Sequence, residues 1–498
     1  MEIIFSGAEA QKMDEISIRD YHFPGLTLME NAGERIFQAI QFHYEEIFPV
    51  GFLIGKGNNG GDGLVIARKM FQAGYSVGVF ILAQGEGELS QSAKINFQIL
   101  RSLKVPYQWI PDQDHYEASR NTLLSFPVLI DALLGIGLNS PLKGIIKTVV
   151  EDLNRDYGGK IWAIDVPTGL STGEEYFEPI LKADHTFTVE MPKNHMIDYP
   201  GRSFVGKLDA VKIGFPEAVK KELSPKRFLV EESDVEIPRR QRDSHKGTYG
   251  KTLIAAGSRQ YTGAALLTLS TAARTGTGLL HYLGESEEYV RNRFPEVIVV
   301  EDLNPSEFRS VLAGPGWGDG EPEVLQMLFD YYKGNLIIDA DGINLLSRNR
   351  EILQDRRKTL LTPHLGEFSR LIDRDIVWIK KNKEPALEIF AGRYPNVSVL
   401  LKDSVSIFYH QGISYYLSWG SPLLAKGGSG DLLAGLIAGF ASYNTLKESV
   451  FLASYLNGKT AEILNEPGAG FFGEIGELPG YYHLALKELE KSRKSLQF

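Results

Sequence analysis

Short apolar runs of strand length alternate along this chain with stretches whose apolar residues recur at helical spacing, the pattern of parallel sheets wrapped by helices. Ser6 and Glu9 have the capping-box spacing and open a helix through Met13 and Ile16, which Pro24 and Gly25 end. A second helix is expected through Met29, Glu30, Asn31, Ala32 and Gly33 to about Ile47. Val50–Ile54 reads as a buried strand, followed by a glycine-rich turn over 55–63 and a helix through Val65, Ala67 and Met70. The alternation continues with a strand over 76–82, a helix over 91–103 with Ala93, Phe97 and Leu100 on one face, and strands over 127–131 and 160–165 that end on Asp131 and Asp165.

Between Gly214 and Arg240 the periodicity fades into a charged stretch broken by Pro225 and Pro238, so two α/β domains are expected, 1–222 and 223–498. Alternation then resumes. A strand at Leu253–Ala256, a helix from Thr262 to about Thr275 and a strand at Leu279–Leu283 are followed by strands ending at Ala313 and Asp339. A polar turn at 362–367 enters a helix, a strand over 397–401 ends before Lys402, and a hairpin turns around Gly412. Apolar residues at Leu432, Leu433, Leu436, Ile437 and Phe440 place the glycines at 427, 428 and 430 where a loop becomes the first turn of a helix.

Composition narrows the function classes. A chain of 498 residues, 43% hydrophobic and 23% charged, can bury two large cores. Its net charge of −10 argues against nucleic acid as the main partner. The absence of cysteine excludes disulfides, thiolate metal sites and a cysteine nucleophile. With no apolar run of about 18 residues and no signal-peptide plan at the N-terminus, a cytoplasmic protein without membrane contact is expected.

The chemistry lies in the glycine-rich turns and the polar strand ends. Free N–H groups at a helix start, approached closely over glycine, receive a phosphate that the helix dipole also favours. Asp431 beside such a cradle would repel the ligand unless it takes a proton or approaches a metal; otherwise it is an N-cap. In the first half, Asn58/Asn59, Asp131 and Asp165/Thr168 stand at three strand ends, the side of an open parallel sheet where ligands bind; singly each aspartate could merely cap a turn. The P-loop reading of Gly250-Lys-Thr252 fails because it precedes its strand. A zinc reading of His364 lacks a paired histidine, and Ser429 lacks the final glycine of a nucleophile elbow.

Met29-Glu-Asn-Ala-Gly33, Gly57-Asn-Asn-Gly-Gly-Asp-Gly63, Asp131-Ala-Leu-Leu-Gly-Ile-Gly137 and Asp165-Val-Pro-Thr-Gly169 resemble the NAD(P)H-hydrate epimerase domain over about 1–220. The second half, about 226–498, resembles the ribokinase-like NAD(P)H-hydrate dehydratases through 245–250, 261–264, 314–316, 339–341, 362–367 and the Gly-Gly-Ser-Gly-Asp loop. The resemblance implies an N-terminal Rossmann-like three-layer domain and a C-terminal ribokinase-like α/β domain in a bifunctional repair enzyme. It implies K⁺ on Asn59, Asp131 and Thr168, the last a serine more often in the family. The hydrated dinucleotide is implied on Asn58, Asn59, Gly60, Gly61 and Asp62, on the loop Gly135, Ile136, Gly137, Leu138, Asn139, Ser140 and Pro141, and on Asp165. In the second half Ala264, Gly316, His364 and Asp431 would contact that substrate. Lys402, Asp403, Ser404, Val405, Ser406 and Gly430 would contact ADP or ATP, carried with Mg²⁺; the family commonly has Gly-Ala where this chain has Asp403-Ser404.

Hydroxide is a poor leaving group, so dehydration of a ring hydroxyl is easier once that oxygen carries phosphate, with Asp431 accepting the hydroxyl proton. Epimerisation at the same carbon needs an acid/base such as Asp165, with Lys143 a lesser polar helper. The partners expected are hydrated NADH or NADPH and an adenine nucleotide, in a homo-oligomer. Two other readings fit the same sequence: a vitamin-type small-molecule kinase whose first domain only binds, and a scaffold that has lost catalysis.

Overall fold

The computed structural model describes residues 1–44, 46–171, 176–354, 356–465 and 473–495. The chain divides into two compact units, one of Ile3–Pro225 and one of Lys226–Phe498 together with Met1–Glu2. No helix among the described residues is long and apolar enough to cross a membrane.

The first unit is a parallel sheet of seven strands in the spatial order Tyr107–Trp109, Val77–Ile81, Val50–Ile54, Val128–Ala132, Lys160–Ile164, His185–Val189 and Lys207–Val211. Its central strands Val50–Ile54 and Val128–Ala132 are buried on both faces, as a sheet covered by helices requires. Val50, Phe52 and Ile54 face a core built with helices Gly25–His43, Asn58–Gln72 and Gln91–Ser102, while Leu53 and Leu129 face helices Gln113–Leu124 and Gly144–Asp156. The first helix, Gly7–Arg19, starts on the Ser6–Glu9 capping box. The second ends at His43, short of Ile47, because Tyr44 leaves helical geometry.

The glycine-rich segment differs from a plain turn. Helix Asn58–Gln72 starts immediately after Gly57, so Asn58 to Gly63 are helical. The glycines let this helix start press onto the strand ends. A Cβ on Gly60 would stand 2.0 Å from the Gly55 carbonyl oxygen, and one on Gly63 would stand 2.5 Å from the Ala132 Cβ. The order of strands reverses between Val50–Ile54 and Val128–Ala132, so the helix start and the loop after Asp131 flank the switch point of the sheet.

The second unit repeats the plan. Its sheet runs Arg227–Leu229, Ile413–Leu417, Ser406–His410, Val397–Leu401, Thr359–Leu361, Asn335–Ile338, Ser310–Ala313, Lys251–Ala255, Leu279–Leu283 and Ile298–Val299. The pairs from Val397–Leu401 through Ile298–Val299 are parallel, and the hairpin around Gly412 is antiparallel. Ile254, Leu312, Ile337, Leu360 and Leu400 pack against helices Thr262–Ala272, Ser429–Phe440 and Leu446–Leu464 in one core. The reversal falls between Lys251–Ala255 and Ser310–Ala313, where the Gly257 N–H donates to the Pro315 carbonyl at 2.7 Å.

The close approach of Gly60 makes a prediction. Gly60→Ala is expected to lose about 1–3 kcal/mol in urea unfolding by forcing the helix off the Gly55 carbonyl. At Gly57, where nothing lies within 4 Å of an added Cβ, alanine should cost under about 1 kcal/mol. Equal midpoints for the two variants would rule out the contact as a constraint.

Candidate active sites

Beyond the first switch point opens a cavity of about 580 Å³. The start of helix Asn58–Gln72 contributes Asn58, Asn59 and Asp62, and the loop after Asp131 contributes Leu133 to Leu138. Asp165, Val189 and Lys193 close another side, and Asp14 and Met29 come from the first two helices.

Asp165 sits just past its strand with φ 63°, a left-handed conformation unusual for a side-chain-bearing residue. Its Oδ1 accepts from Lys193 Nζ at 2.5 Å, from the Val189 N–H at 3.2 Å and from Thr188 Oγ1 at 3.3 Å. Its Oδ2 faces the other way, 3.6 Å from the point a Cβ on Gly135 would occupy, and the Asn59 Cβ lies 3.3 Å from that point. One oxygen is therefore held while the other looks toward the cavity. Around this pair stand two more carboxyls. Burial, with Asp165 adding repulsion, raises Asp62 well above the ordinary range and Asp14 to about 6, Lys193 pulling Asp14 the other way.

Asp131 and Thr168 lie beneath the cavity, both fully buried. The Thr168 N–H donates to Asp131 Oδ2 at 2.7 Å, and the Thr168 hydroxyl to Oδ1 at 2.7 Å. Burial raises the Asp131 pKa to about 6 against these hydrogen bonds. Both polar atoms of the Asn59 side chain are buried without a hydrogen-bond partner, an arrangement that costs free energy unless something fills it.

In the second unit helix Ser429–Phe440 is capped by Gly428 in the left-handed region at φ 93°. Asp431 is thus a first-turn residue and not the N-cap. Strand Asn335–Ile338 delivers Asp339, whose Oδ1 accepts from Lys402 Nζ at 2.7 Å and from Thr362 Oγ1 at 2.8 Å. Gly430 fits over this pair: a Cβ there would lie 3.2 Å from Lys402 Nζ and 3.9 Å from Asp339 Oδ2. Burial and the Asp339 charge push Asp431 up to about 7, with Lys402 opposing. Ala340, at φ 50°, turns the chain so that Asp341 opens the next helix and accepts from the Gly318 N–H at 2.8 Å.

The other residues singled out by sequence fall into place unevenly. Gly60 and Gly61 are buried in helix packing, and Asn139, Ser140 and Pro141 are exposed and do not line the cavity. Ala264 and Gly316 are neighbours, a Cβ on Gly316 lying 2.7 Å from that of Ala264. His364 caps helix Leu365–Ile372, its Nδ1 accepting from the Gly366 and Glu367 N–H groups, and pairs by a β-bridge with Lys402. Asp403 is held by Lys383 at 2.6 Å, Ser404 is exposed, Val405 is buried, and Ser406 begins a strand, its hydroxyl donating to the Asp403 carbonyl at 3.4 Å. Lys143 is exposed and off the cavity; the lysine in the site is Lys193. Sequence reasoning missed Lys193 and Asp14. Asp14 had a signal: it lies four residues after buried Ala10 and three before buried Ser17, which sets its exposed carboxyl beside the packed face of its helix, at the cavity.

Residues 25–195 match the family described as YjeF-related protein N-terminus, and residues 252–470 match the family described as NAD(P)H-hydrate dehydratase. A bifunctional NAD(P)H-hydrate repair enzyme of Thermofilum pendens is 32% identical over 92% of this chain and 91% of its own. Its counterpart in Moorella thermoacetica is 28% identical over 99% and 98%. A solved ribokinase-like superfamily protein of Enterococcus faecalis covers 53% of this chain and 96% of its own, at 25% identity and a TM-score of 0.48.

The raised carboxyls predict a pH dependence of stability. Asp431 holds its proton to about pH 7 when folded but releases it near its ordinary value of 3.8 when unfolded. The stability it contributes is complete below about pH 4 and is lost as the pH rises through about 7. Asp431→Asn should therefore melt like wild type near about pH 4 and at a higher temperature by about pH 8. A gap that is constant with pH would show that the folded state does not perturb this carboxyl.

Proposed function

The chain belongs to the bifunctional NAD(P)H-hydrate repair enzymes, and from that premise we propose how its two units share the repair. It is an NAD(P)H-hydrate epimerase and an NAD(P)H-hydrate dehydratase. We assign epimerisation of the R and S hydrates to the first unit and dehydration of the S form, with consumption of ADP or ATP, to the second. The observation that carries the second assignment is Asp431, a half-buried carboxyl in the anion-attracting first turn of a helix, beside the Lys402–Asp339 pair.

In the first unit the hydrated ring lies in the cavity with its C6 hydroxyl at Asp165 Oδ2. Asp165 takes the hydroxyl proton, the C6–nitrogen bond opens with its electron pair going to nitrogen, and a carbonyl forms at C6. The ring nitrogen receives a proton from a neighbouring carboxyl, Asp62, whose burial favours its protonated form. Reclosure on the opposite face inverts the carbon. Lys193 keeps Oδ1 of Asp165 fixed, so that Oδ2 meets the substrate in one orientation.

Asn59, Asp131 and Thr168 would hold K⁺. The unpartnered Asn59 amide oxygen and the remaining lone pair of Asp131 Oδ2 fit a cation. Thr168 would contribute its carbonyl, since its hydroxyl already donates to Asp131 and accepts from the Leu134 N–H. When bound, the ion offsets the Asp131 charge and draws the substrate's phosphates.

In the second unit the N–H groups at the start of helix Ser429–Phe440 receive the terminal phosphate of the nucleotide. The substrate hydroxyl attacks its phosphorus, the bond from phosphorus to the bridging oxygen breaks so that AMP leaves from ADP or ADP from ATP, and Asp431 accepts the hydroxyl proton, a task suited to a carboxyl pushed up to about 7. The ring nitrogen then expels phosphate, and loss of a C5 proton restores the dihydropyridine. Asp339, whose Oδ1 is taken by Lys402 and Thr362, and Asp431 would hold Mg²⁺ with its waters, and the ion would disperse phosphate charge. Asp403, paired with Lys383, leaves the nucleotide to backbone and to Lys402.

Two substitutions test this division. Asp431→Asn should fold, bind nucleotide and epimerise, yet lose about 10²–10⁴-fold in dehydration, followed as NADH absorbance and released phosphate. Wild-type turnover would move the catalytic base elsewhere. Asp131→Ala should slow epimerisation and alter its potassium dependence while dehydration is untouched, and an unchanged potassium titration would remove Asp131 from the ion site.

A further inference from the structure

At the end of the first unit's sheet opposite its cavity, three metal-ligating side chains from three elements point at one spot. His43 ends helix Gly25–His43, His185 begins strand His185–Val189, and Asp209 is central in strand Lys207–Val211. His185 lies four residues from cavity-lining Val189, about 13 Å along the strand. Asp209 Oδ2 is 2.6 Å from His43 Nε2 and 2.7 Å from His185 Nε2. None of the three lines the cavity, and neither activity uses them.

Their support resembles that of a ligand shell. His185 is fully buried, stacks on Phe187 with ring centroids 4.0 Å apart, and has its Nδ1 2.9 Å from the Tyr44 hydroxyl. A hydrogen bond to the remote ring nitrogen is what fixes the orientation of a metal-binding imidazole. His43 and Asp209 are partly exposed, so an ion has a path in from solvent.

We propose that His43, His185 and Asp209 form a binding site for a divalent first-row transition ion, with Zn²⁺ as the representative, completed by water. Two imidazole nitrogens and one carboxylate oxygen suit such an ion and not a hard cation such as Mg²⁺. Bond lengths near 2.0–2.1 Å in a tetrahedral site set ligand atoms about 3.3 Å apart, so Asp209 must withdraw by about 0.6 Å. Without metal, each Nε2–H donates to Asp209; on binding, the proton of each imidazole resides on Nδ1. For His185 that proton points to the Tyr44 oxygen. For His43 it points to Lys207, whose ammonium now donates to Nδ1 at 3.0 Å and lies 3.6 Å from Asp209. Lys207 is the resident cation that zinc must displace, and its half-exposed side chain is able to swing into solvent.

That competition supplies the test. Full-length protein without a polyhistidine tag is stripped with chelator and titrated with ZnCl₂ by calorimetry and by thermal melting. One zinc per chain is expected, with a rise of about 5–10 °C in the melting of this unit at a hundredfold excess over Kd, and no rise with MgCl₂. Asp209→Asn should weaken this binding at least tenfold, as should His43→Gln at the partly exposed helix end if the first variant misfolds. Lys207→Met should tighten it. Zinc binding that is absent in wild type, or equal in wild type, Asp209→Asn and His43→Gln, or unimproved by Lys207→Met, would overturn the site and leave a hydrogen-bonded His–Asp–His network.

Discussion

Lys193 in the first unit and Lys402 in the second each face more carboxyl groups than one ammonium can neutralise. Lys193 is bonded to Asp165 with Asp14 nearby, and Lys402 is bonded to Asp339 with Glu367 and Asp431 in its field. Burial makes every uncompensated negative charge costly, so the surplus carboxyls keep their protons to unusually high pH. Asp14 and Asp431 reach about 6 and about 7 in this way. Proton transfer near neutral pH thus follows from a shortage of positive charge, and the lysines give each site its geometry by fixing the carboxylate they do neutralise.

The sheets make such crowding tolerable. At each switch point neighbouring connections leave in opposite directions and open a crevice beyond the strand ends, where polar groups can be deep without being sealed. Glycine brings a helix start to that crevice. Gly60 presses the Asn58 helix on the Gly55 carbonyl, and Gly430 leaves space for the Lys402 ammonium. A helix start supplies N–H groups and a partial positive charge where side-chain cations are scarce. The substrates of both activities carry phosphates, which need that compensation.

Much of this was legible along the chain, and the misses share a cause. Apolar runs located the strands at Val50–Ile54, Val128–Ala132 and Val397–Leu401, because a strand buried on both faces is largely apolar, with Asp131 and Ser398 the polar exceptions. The helical state of Asn58 to Gly63 was obscured because glycine propensity speaks against helix, whereas the packing against Gly55 and Ala132 demands it. Asp431 read equally as an N-cap, a choice that only the left-handed Gly428 resolves. Lys143 drew attention as a polar residue in a suggestive loop, yet it points to solvent while Lys193, in an unremarked segment, reaches Asp165.

By itself, the sequence determined the alternation of strands and helices, the two-part organisation, and the residues at the ends of parallel strands, since periodicity and glycine placement are local properties of the chain. The tertiary structure decided which charges share a site. Asp14 with Asp165, Lys402 with Asp431, and His43 with His185 and Asp209 are far apart in sequence, and the raised proton affinities of Asp14 and Asp431 depend on burial and on neighbouring charge, quantities that exist only once the chain has folded.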